Sequence, residues 1–267
     1  MTVSIIITTF KRPTLLNRAI RSVLSQTTTN DTLIELVIVD DDPLGSGISA
    51  ISSVDFNEFS CISLQYIKRG PNESGVSAAR NRGIRSAHGD WIMFLDDDDL
   101  LNDGAVAALI NASKDSSAHF CAGGYVSAQE DLDGNLITGN LIQPKWDNYN
   151  QLMLGNIFPI GSFIIKRSCI KTLFNPALKT HEDWLFLLDN LRHLTVIVIS
   201  APVLQVRQCN EGRSHRNHSG GLRQLTADYI RIYALHPSLE LLNQRLSIIR
   251  GGAPLEISDL IGGISQE

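Results

Sequence analysis

The sequence predicts an α/β fold, with a mostly parallel, Rossmann-like central sheet flanked by helices. Three observations carry the prediction. The first half of the 267-residue chain alternates short apolar runs with segments of helical period. The runs are apolar on both faces, as in strands covered on two sides. Three of them end in polar clusters, Thr8-Thr9, Asp40-Asp41-Asp42 and Asp96-Asp97-Asp98-Asp99. In parallel sheets, ligands bind outside the carboxyl ends of the strands. A solubilising role would not need all three clusters at the same edge.

Val3 to Thr8 is the first apolar run. Pro13 to Gln26 follows with Leu15, Leu16, Ala19, Ile20, Val23 and Leu24 on a helical stripe, and with proline near its start. Leu33 to Val39 and Ile62 to Ile67 read as the second and third strands. Gly75 to Ala87 reads as a helix of small residues, Trp91 to Leu95 as a fourth strand and Asn102 to Ser113 as a helix. The second half is less regular. Ala118 to Ala128 reads as a strand, and Asp133-Gly134 is a hairpin signal before Leu136-Ile137. Ile160 to Lys166 is a further strand. Glu182 to Leu191 is a helix with Leu185, Leu188 and Leu191 at helical spacing. Thr195 to Ile199 and Val203 to Val206 are short strands around Pro202. Arg207 to Gly221 is polar and contains Gly212, Gly220 and Gly221, which predicts a mobile loop. Leu222 to Leu246 is helical, with an interruption near Pro237.

Composition narrows the function. The chain is 43% hydrophobic and 19% charged, a globular balance. A net charge of −5 argues against a general nucleic-acid binder, which would carry a basic face. No apolar stretch is long enough to span a bilayer, and the start lacks the basic region and cleavage site of a signal peptide. Cys61, Cys121, Cys169 and Cys209 have no paired spacing, which fits reduced thiols in a cytoplasmic protein.

Four consecutive carboxylates at a strand end repel one another unless a hard cation with oxygen ligands lies among them. Such a cation often holds substrate phosphates as well. The alternative is an acidic helix start, in which Asp97 and Asp99 cap the helix after Asn102; Asp99 is read as such a cap. Glu182-Asp183 has the same two readings, a helix cap or a general base. Trp184 beside the pair could exclude water from a carboxylate or stack on a sugar. Arg80 lies near the start of a helix at the ligand edge, where it could reach a diphosphate or serve structure alone.

The series Val3-Ser4-Ile5-Ile6-Ile7-Thr8-Thr9-Phe10, Val39-Asp40-Asp41, Gly75 with Ala79-Arg80-Asn81-Arg82-Gly83-Ile84, and Phe94-Leu95-Asp96-Asp97-Asp98-Asp99-Leu100 resembles the signature series of family-2 glycosyltransferases of the GT-A fold. Glu182-Asp183 resembles that family's Glu-Asp pair at a helix start. The resemblance implies an inverting transferase that moves a sugar from a nucleotide-diphospho-sugar, a UDP-sugar by preference, to a saccharide acceptor. It implies Mn²⁺ or Mg²⁺ as cofactor. Thr8, Thr9, Asp41, Arg80, Asp96 and Asp97 would bind the donor. Asp98 and Asp96, the outer members of the Asp-x-Asp motif, would serve the metal. Asp183 would be the base, with Glu182 beside it.

On the acceptor side the candidates are Trp146, Gly161 and Trp184, with the stretch Asn156 to Ser162 as a loop. Residues 1–115 would form the donor half, 116–221 the acceptor half and 222–267 a helical segment. The expected acceptor is a lipid-linked saccharide in bacterial surface-polysaccharide synthesis, at the inner face of the cytoplasmic membrane. The chain departs from the family in Thr8 and Lys11, where proline and asparagine are usual. It also has Asp42-Pro43 for Gly-Ser, and Val206-Arg207-Gln208-Cys209 for Tyr-Arg-x-His. His215 or His218 could supply the missing histidine.

Three rivals follow from the residues. A sugar-phosphate nucleotidyltransferase would need a glycine-rich loop after the first strand, where Thr9-Phe10-Lys11-Arg12 has none. A non-catalytic nucleotide-sugar or cation-binding module would bind without turnover. A glycosidase also uses two carboxylates, but needs neither nucleotide nor metal.

Overall fold

Continuous apolar runs buried on both faces give the parallel half of the sheet. A computed structural model describes residues 1–26, 32–71, 73–115, 117–131, 136–208 and 221–250. Strands β1 (Thr2–Thr9), β2 (Leu33–Asp40), β3 (Ile62–Lys68) and β4 (Trp91–Asp96) lie in the order β3-β2-β1-β4, all parallel. Alternate side chains enter two separate cores. Val3, Ile5, Ile7, Leu36, Ile38 and Met93 face one side. Ile6, Val37, Val39, Ile92 and Phe94 face the other.

Helices cover both faces. On the first, α1 (Pro13–Leu24) buries Leu16, Ala19, Ile20, Val23 and Leu24, and α4 (Ala105–Ala112) buries Val106 and Leu109. Each fully buried aliphatic side chain contributes roughly 1.5–3 kcal/mol. On the second face, α3 (Val76–Ser86) and α6 (Glu182–Leu191) contribute Ala79, Ile84, Trp184, Leu185 and Leu188. The small residues of α3 have a packing reason. A Cβ at Gly83 would lie 2.4 Å from Ile6 Cγ2, so only glycine lets the helix approach β1 this closely.

The second half continues the same sheet in mixed directions. β8 (Phe163–Lys166) runs antiparallel to β4 and to β6 (Phe120–Glu130). β9 (Val196–Gln208) runs parallel to β6, and β5 (Leu100–Leu101) pairs antiparallel with β9. β7 (Leu136–Ile142) pairs antiparallel with β6, as a hairpin requires, while Asp133-Gly134 lies outside the described residues.

Several boundaries differ from expectation. The two strands around Pro202 are one strand, β9, which keeps its pairing through register shifts opposite Gly124. Arg207, expected in a loop, ends this strand and is buried against Glu130. Cys209, Arg213, His215, Arg216 and His218 lie outside the described residues. The short strand β5 was not expected, because two residues are too few for a periodic signal. The strand expected from Ile160 begins at Phe163. The C-terminal helix is interrupted near Pro237, giving α7 (Gly221–Leu235) and α8 (Leu242–Arg250). Cys61, Cys121 and Cys169 are free thiols. Among the described residues, no helix is long and apolar enough to cross a membrane.

Candidate active site

The polar ends of β1, β2 and β4 meet the N-termini of α3 and α6 around a cleft of about 680 Å³. Thr8, Thr9, Asp41, Arg80, Asp96, Asp97, Asp98, Glu182 and Asp183 all line it. One cleft therefore collects every expected donor, metal and base residue.

The acidic run forms a tight turn between β4 and β5. The backbone N–H of Asp99 donates to the Asp96 carbonyl at 3.1 Å. This turn brings one oxygen each of Asp96, Asp98 and Asp99 within 4.8 Å of one another. Asp97 turns towards β1, accepting from Thr9 Oγ1 at 2.7 Å and Arg12 Nη1 at 3.0 Å. The same Arg12 nitrogen donates to Asp98 Oδ2 at 2.9 Å. Asp99 accepts the backbone N–H of Arg207 at 2.9 Å. The capping alternative is corrected here: α4 starts after Gly104 with no side-chain cap, and Asp97 and Asp99 bond elsewhere. Asp99 belongs to the cluster.

Burial and mutual repulsion push Asp97, Asp98 and Asp99 towards the protonated form. Asp97 is raised to about 6, chiefly by burial, with a further push from Asp98 that Thr9 and Arg12 oppose. Asp98 is raised by burial and by Asp96, and Asp99 is raised well above the usual range by burial and by its three acidic neighbours. Three convergent carboxylates, all oxygen donors, fit a hard divalent cation such as Mg²⁺ or Mn²⁺.

Arg80 joins this cluster to the start of α6. It is 3% exposed, and donates from Nη2 to Asp96 at 2.7 Å and from Nη1 to Glu182 at 2.8 Å. Its Nε is buried without a hydrogen-bond partner. Burial acts against its charge, but Asp96 and Glu182 outweigh that and raise its pKa. Arg80 thus lines the cleft while held by two carboxylates. Arg80→Met would leave Glu182 buried and unpaired. It is expected to cost about 3–5 kcal/mol in chemical unfolding, with the slope unchanged.

Asp41 and Asp40 divide their labour. Asp41 faces the cleft and accepts from Gly75 N at 2.7 Å and Arg82 Nη2 at 2.8 Å. Asp40 clasps the following turn through Asp42 N, Gly47 N and the Tyr66 hydroxyl. Asp183 sits in the first turn of α6. Its Oδ2 accepts from Asn156 Nδ2 at 2.8 Å and its Oδ1 from the backbone N–H of Trp184 at 2.8 Å. Asn156 is oriented in turn by accepting from Phe158 N at 3.0 Å.

The acceptor candidates fare differently. Trp184 is 0% exposed, donates its indole N–H to the Leu152 carbonyl and packs against Tyr229 and Tyr233. It cannot stack on a sugar, and its apolar body serves the core. Trp146 packs on Phe158 with ring centroids 5.6 Å apart and is not among the residues lining the cleft. Gly161 holds φ +89° in the turn before β8, where a Cβ would lie 2.8 Å from Leu204 Cδ1, so its glycine identity has a backbone cause. Of that stretch, Pro159 and Ile160 reach the cleft. Sequence reading missed Arg12, Arg69 and Ser74 as lining residues. Arg12 carried one usable signal, its place between the first polar strand end and the proline that opens α1.

The glycosyl transferase family 2 model matches residues 4–174. The chain belongs to that family. An uncharacterized glycosyltransferase of Haemophilus influenzae is 33% identical over 192 residues, covering 72% of each chain. The UDP-Glc:alpha-D-GlcNAc-diphosphoundecaprenol beta-1,3-glucosyltransferase WfgD of Escherichia coli is 25% identical, over 69% of this chain and 68% of its own.

Two solved structures share the fold. S. aureus TarS 1–349 in complex with UDP-GlcNAc has a TM-score of 0.64 at 15% identity, covering 97% of this chain and 84% of that one. The mannosyltransferase PcManGT of Pyrobaculum calidifontis, in complex with GDP-Man and Mn²⁺, has a TM-score of 0.59 at 16% identity, covering 98% and 78%. The protein is a family 2 glycosyltransferase of the GT-A fold. Its Asp-x-Asp motif is the cluster of Asp96, Asp98 and Asp99.

Proposed function

We propose that this family 2 glycosyltransferase moves a sugar, with inversion, from a UDP-sugar to a hydroxyl of a lipid-linked saccharide. One observation carries the reading. A single cleft is lined by a cation-competent carboxylate cluster and by a separately held carboxylate, Asp183.

In the transfer, the acceptor hydroxyl oxygen bonds to the anomeric carbon while the bond from that carbon to the diphosphate oxygen breaks. The electron pair leaves with the nucleoside diphosphate. Asp183 takes the hydroxyl proton, the task of a positioned general base. Asn156 and the Trp184 N–H fix its two oxygens. Asp96, Asp98 and Asp99 would hold a divalent ion, which when bound supplies positive charge where the diphosphate's negative charge develops. Arg80 holds Glu182 and Asp96 at a fixed separation, so the base helix and the cation cluster keep their relation. In this reading residues 1–115 are the donor half and 116–221 the acceptor half, followed by the helices α7 and α8; residues 251–267 lie outside the described residues.

Asp41 can accept the N3–H of uracil or thymine, which favours a UDP or dTDP donor. Between these, the UDP-Glc donor of WfgD and the UDP-GlcNAc bound to TarS support UDP. The lipid-linked acceptor is proposed from WfgD, and with such an acceptor we infer peripheral action at the cytoplasmic face of the membrane. The test is calorimetric titration of UDP, dTDP, GDP and CDP, each with and without Mn²⁺. Transfer from the matching sugar nucleotides to diphosphoundecaprenol-linked acceptors follows. Metal-dependent binding of UDP above the others, followed by turnover, is the expected result. Binding without turnover on any such acceptor would favour the non-catalytic module.

A further inference from the structure

We infer that Arg12 is a displaceable internal cation that makes divalent-ion binding depend on the nucleotide diphosphate; this rests on the cation cluster proposed above. Two arginines touch the acidic run, and they differ in kind. Arg80 is buried and fixed between Asp96 and Glu182. Arg12 sits at the cleft rim with its side chain 28% exposed, and a single nitrogen, Nη1, bridges Asp97 and Asp98. It is the residue just before Pro13 of α1, after Lys11 in a left-handed turn, and its side chain makes no helix-capping bond. Its ties to the acidic run are those two ion pairs and their hydrogen bonds.

Asp98 is therefore claimed twice. It is one of the three carboxylates that converge as a cation site, and its Oδ2 is already bonded to a guanidinium. A divalent ion on Asp98 would meet a like charge a few ångströms away, so the ion binds weakly while Arg12 stays in place. Arg12 lines the same cleft as the donor-binding residues. A diphosphate there offers the guanidinium a planar, charge-assisted alternative to the carboxylates. Arg12 then exchanges Asp97 and Asp98 for phosphate oxygens, and Asp98 is released to the metal. Cation and nucleotide become coupled through one side chain, and each tightens the other by the same factor.

The test is Mn²⁺ titration, by calorimetry and by the electron-spin signal of free Mn²⁺, for wild type, R12Q and R12K. Each is measured with and without UDP. Without UDP, R12Q should bind Mn²⁺ about tenfold tighter than wild type, and R12K, which keeps the charge, should stay within about threefold of it. The factor by which UDP tightens Mn²⁺ should shrink about tenfold in R12Q. Equal or weaker Mn²⁺ binding by R12Q alone would overturn the inference, since Arg12 would then be neutral or would be orienting Asp98 for the metal. An unchanged UDP coupling factor would also overturn it. If no protein binds Mn²⁺ even with UDP, the cation site itself falls, and the role of Arg12 with it.

Discussion

Asp183→Asn is expected to lower sugar transfer by about 10²–10⁴-fold, the usual contribution of a positioned base. UDP and Mn²⁺ affinities should stay at wild-type values. The substitution preserves shape but removes the proton acceptor. It also leaves one local conflict. The carboxylate accepts from both Asn156 and the Trp184 backbone, whereas an amide has a single acceptor oxygen. A small loss of stability should therefore accompany the rate loss. Glu182 also lines the cleft but is paired with Arg80, so it is expected to restore little of the lost rate. Single-turnover rates with preloaded donor separate this outcome from a binding defect. A rate within threefold of wild type would move the base elsewhere.

Asp98→Ala should abolish the metal-dependent part of UDP binding, weakening it at least about 100-fold in the presence of Mn²⁺. Affinity measured without metal should change little. The fold should survive and gain slightly in thermal midpoint. Removing one of four crowded carboxylates relieves the repulsion that pushes Asp97 and Asp99 towards their protonated forms. A protein that loses its ligand while keeping or raising its melting temperature is the signature of a site held at some cost to stability. Unchanged UDP affinity with Mn²⁺ would remove Asp98 from the metal site.

Much of the fold was legible because β1, β2 and β4 are apolar on both faces, a pattern that only a doubly covered sheet explains. The cleft residues at the strand ends were legible for the same reason: once those strands are parallel, Thr8, Asp41 and Asp96 must share an edge. The acceptor side was not, because aromatic residues carry no mark of burial. Trp184 beside two acidic residues reads equally as a platform for sugar or as core, and its position on α6 turns it inward. Arg207 reads as loop because polar residues follow it, whereas pairing with Glu130 lets a charged residue end a buried strand. The partners of Arg80 and Arg12 depend on contacts across 16 to 102 positions of chain, which no local pattern encodes.

The acidic turn is fastened at both ends to different parts of the chain. Asp96 closes β4 inside the parallel half, while Leu100-Leu101 pairs with β9 from the second half, and Asp99 is tied to the backbone of Arg207. The cluster's geometry is thus inherited jointly from two distant stretches of gene. Recombination between relatives at a crossover near residue 115 would separate the turn from the strand that sets it. Viable chimaeras should exchange Val196–Gln208 together with the first half, so the unit of modular exchange in this enzyme is not a contiguous segment.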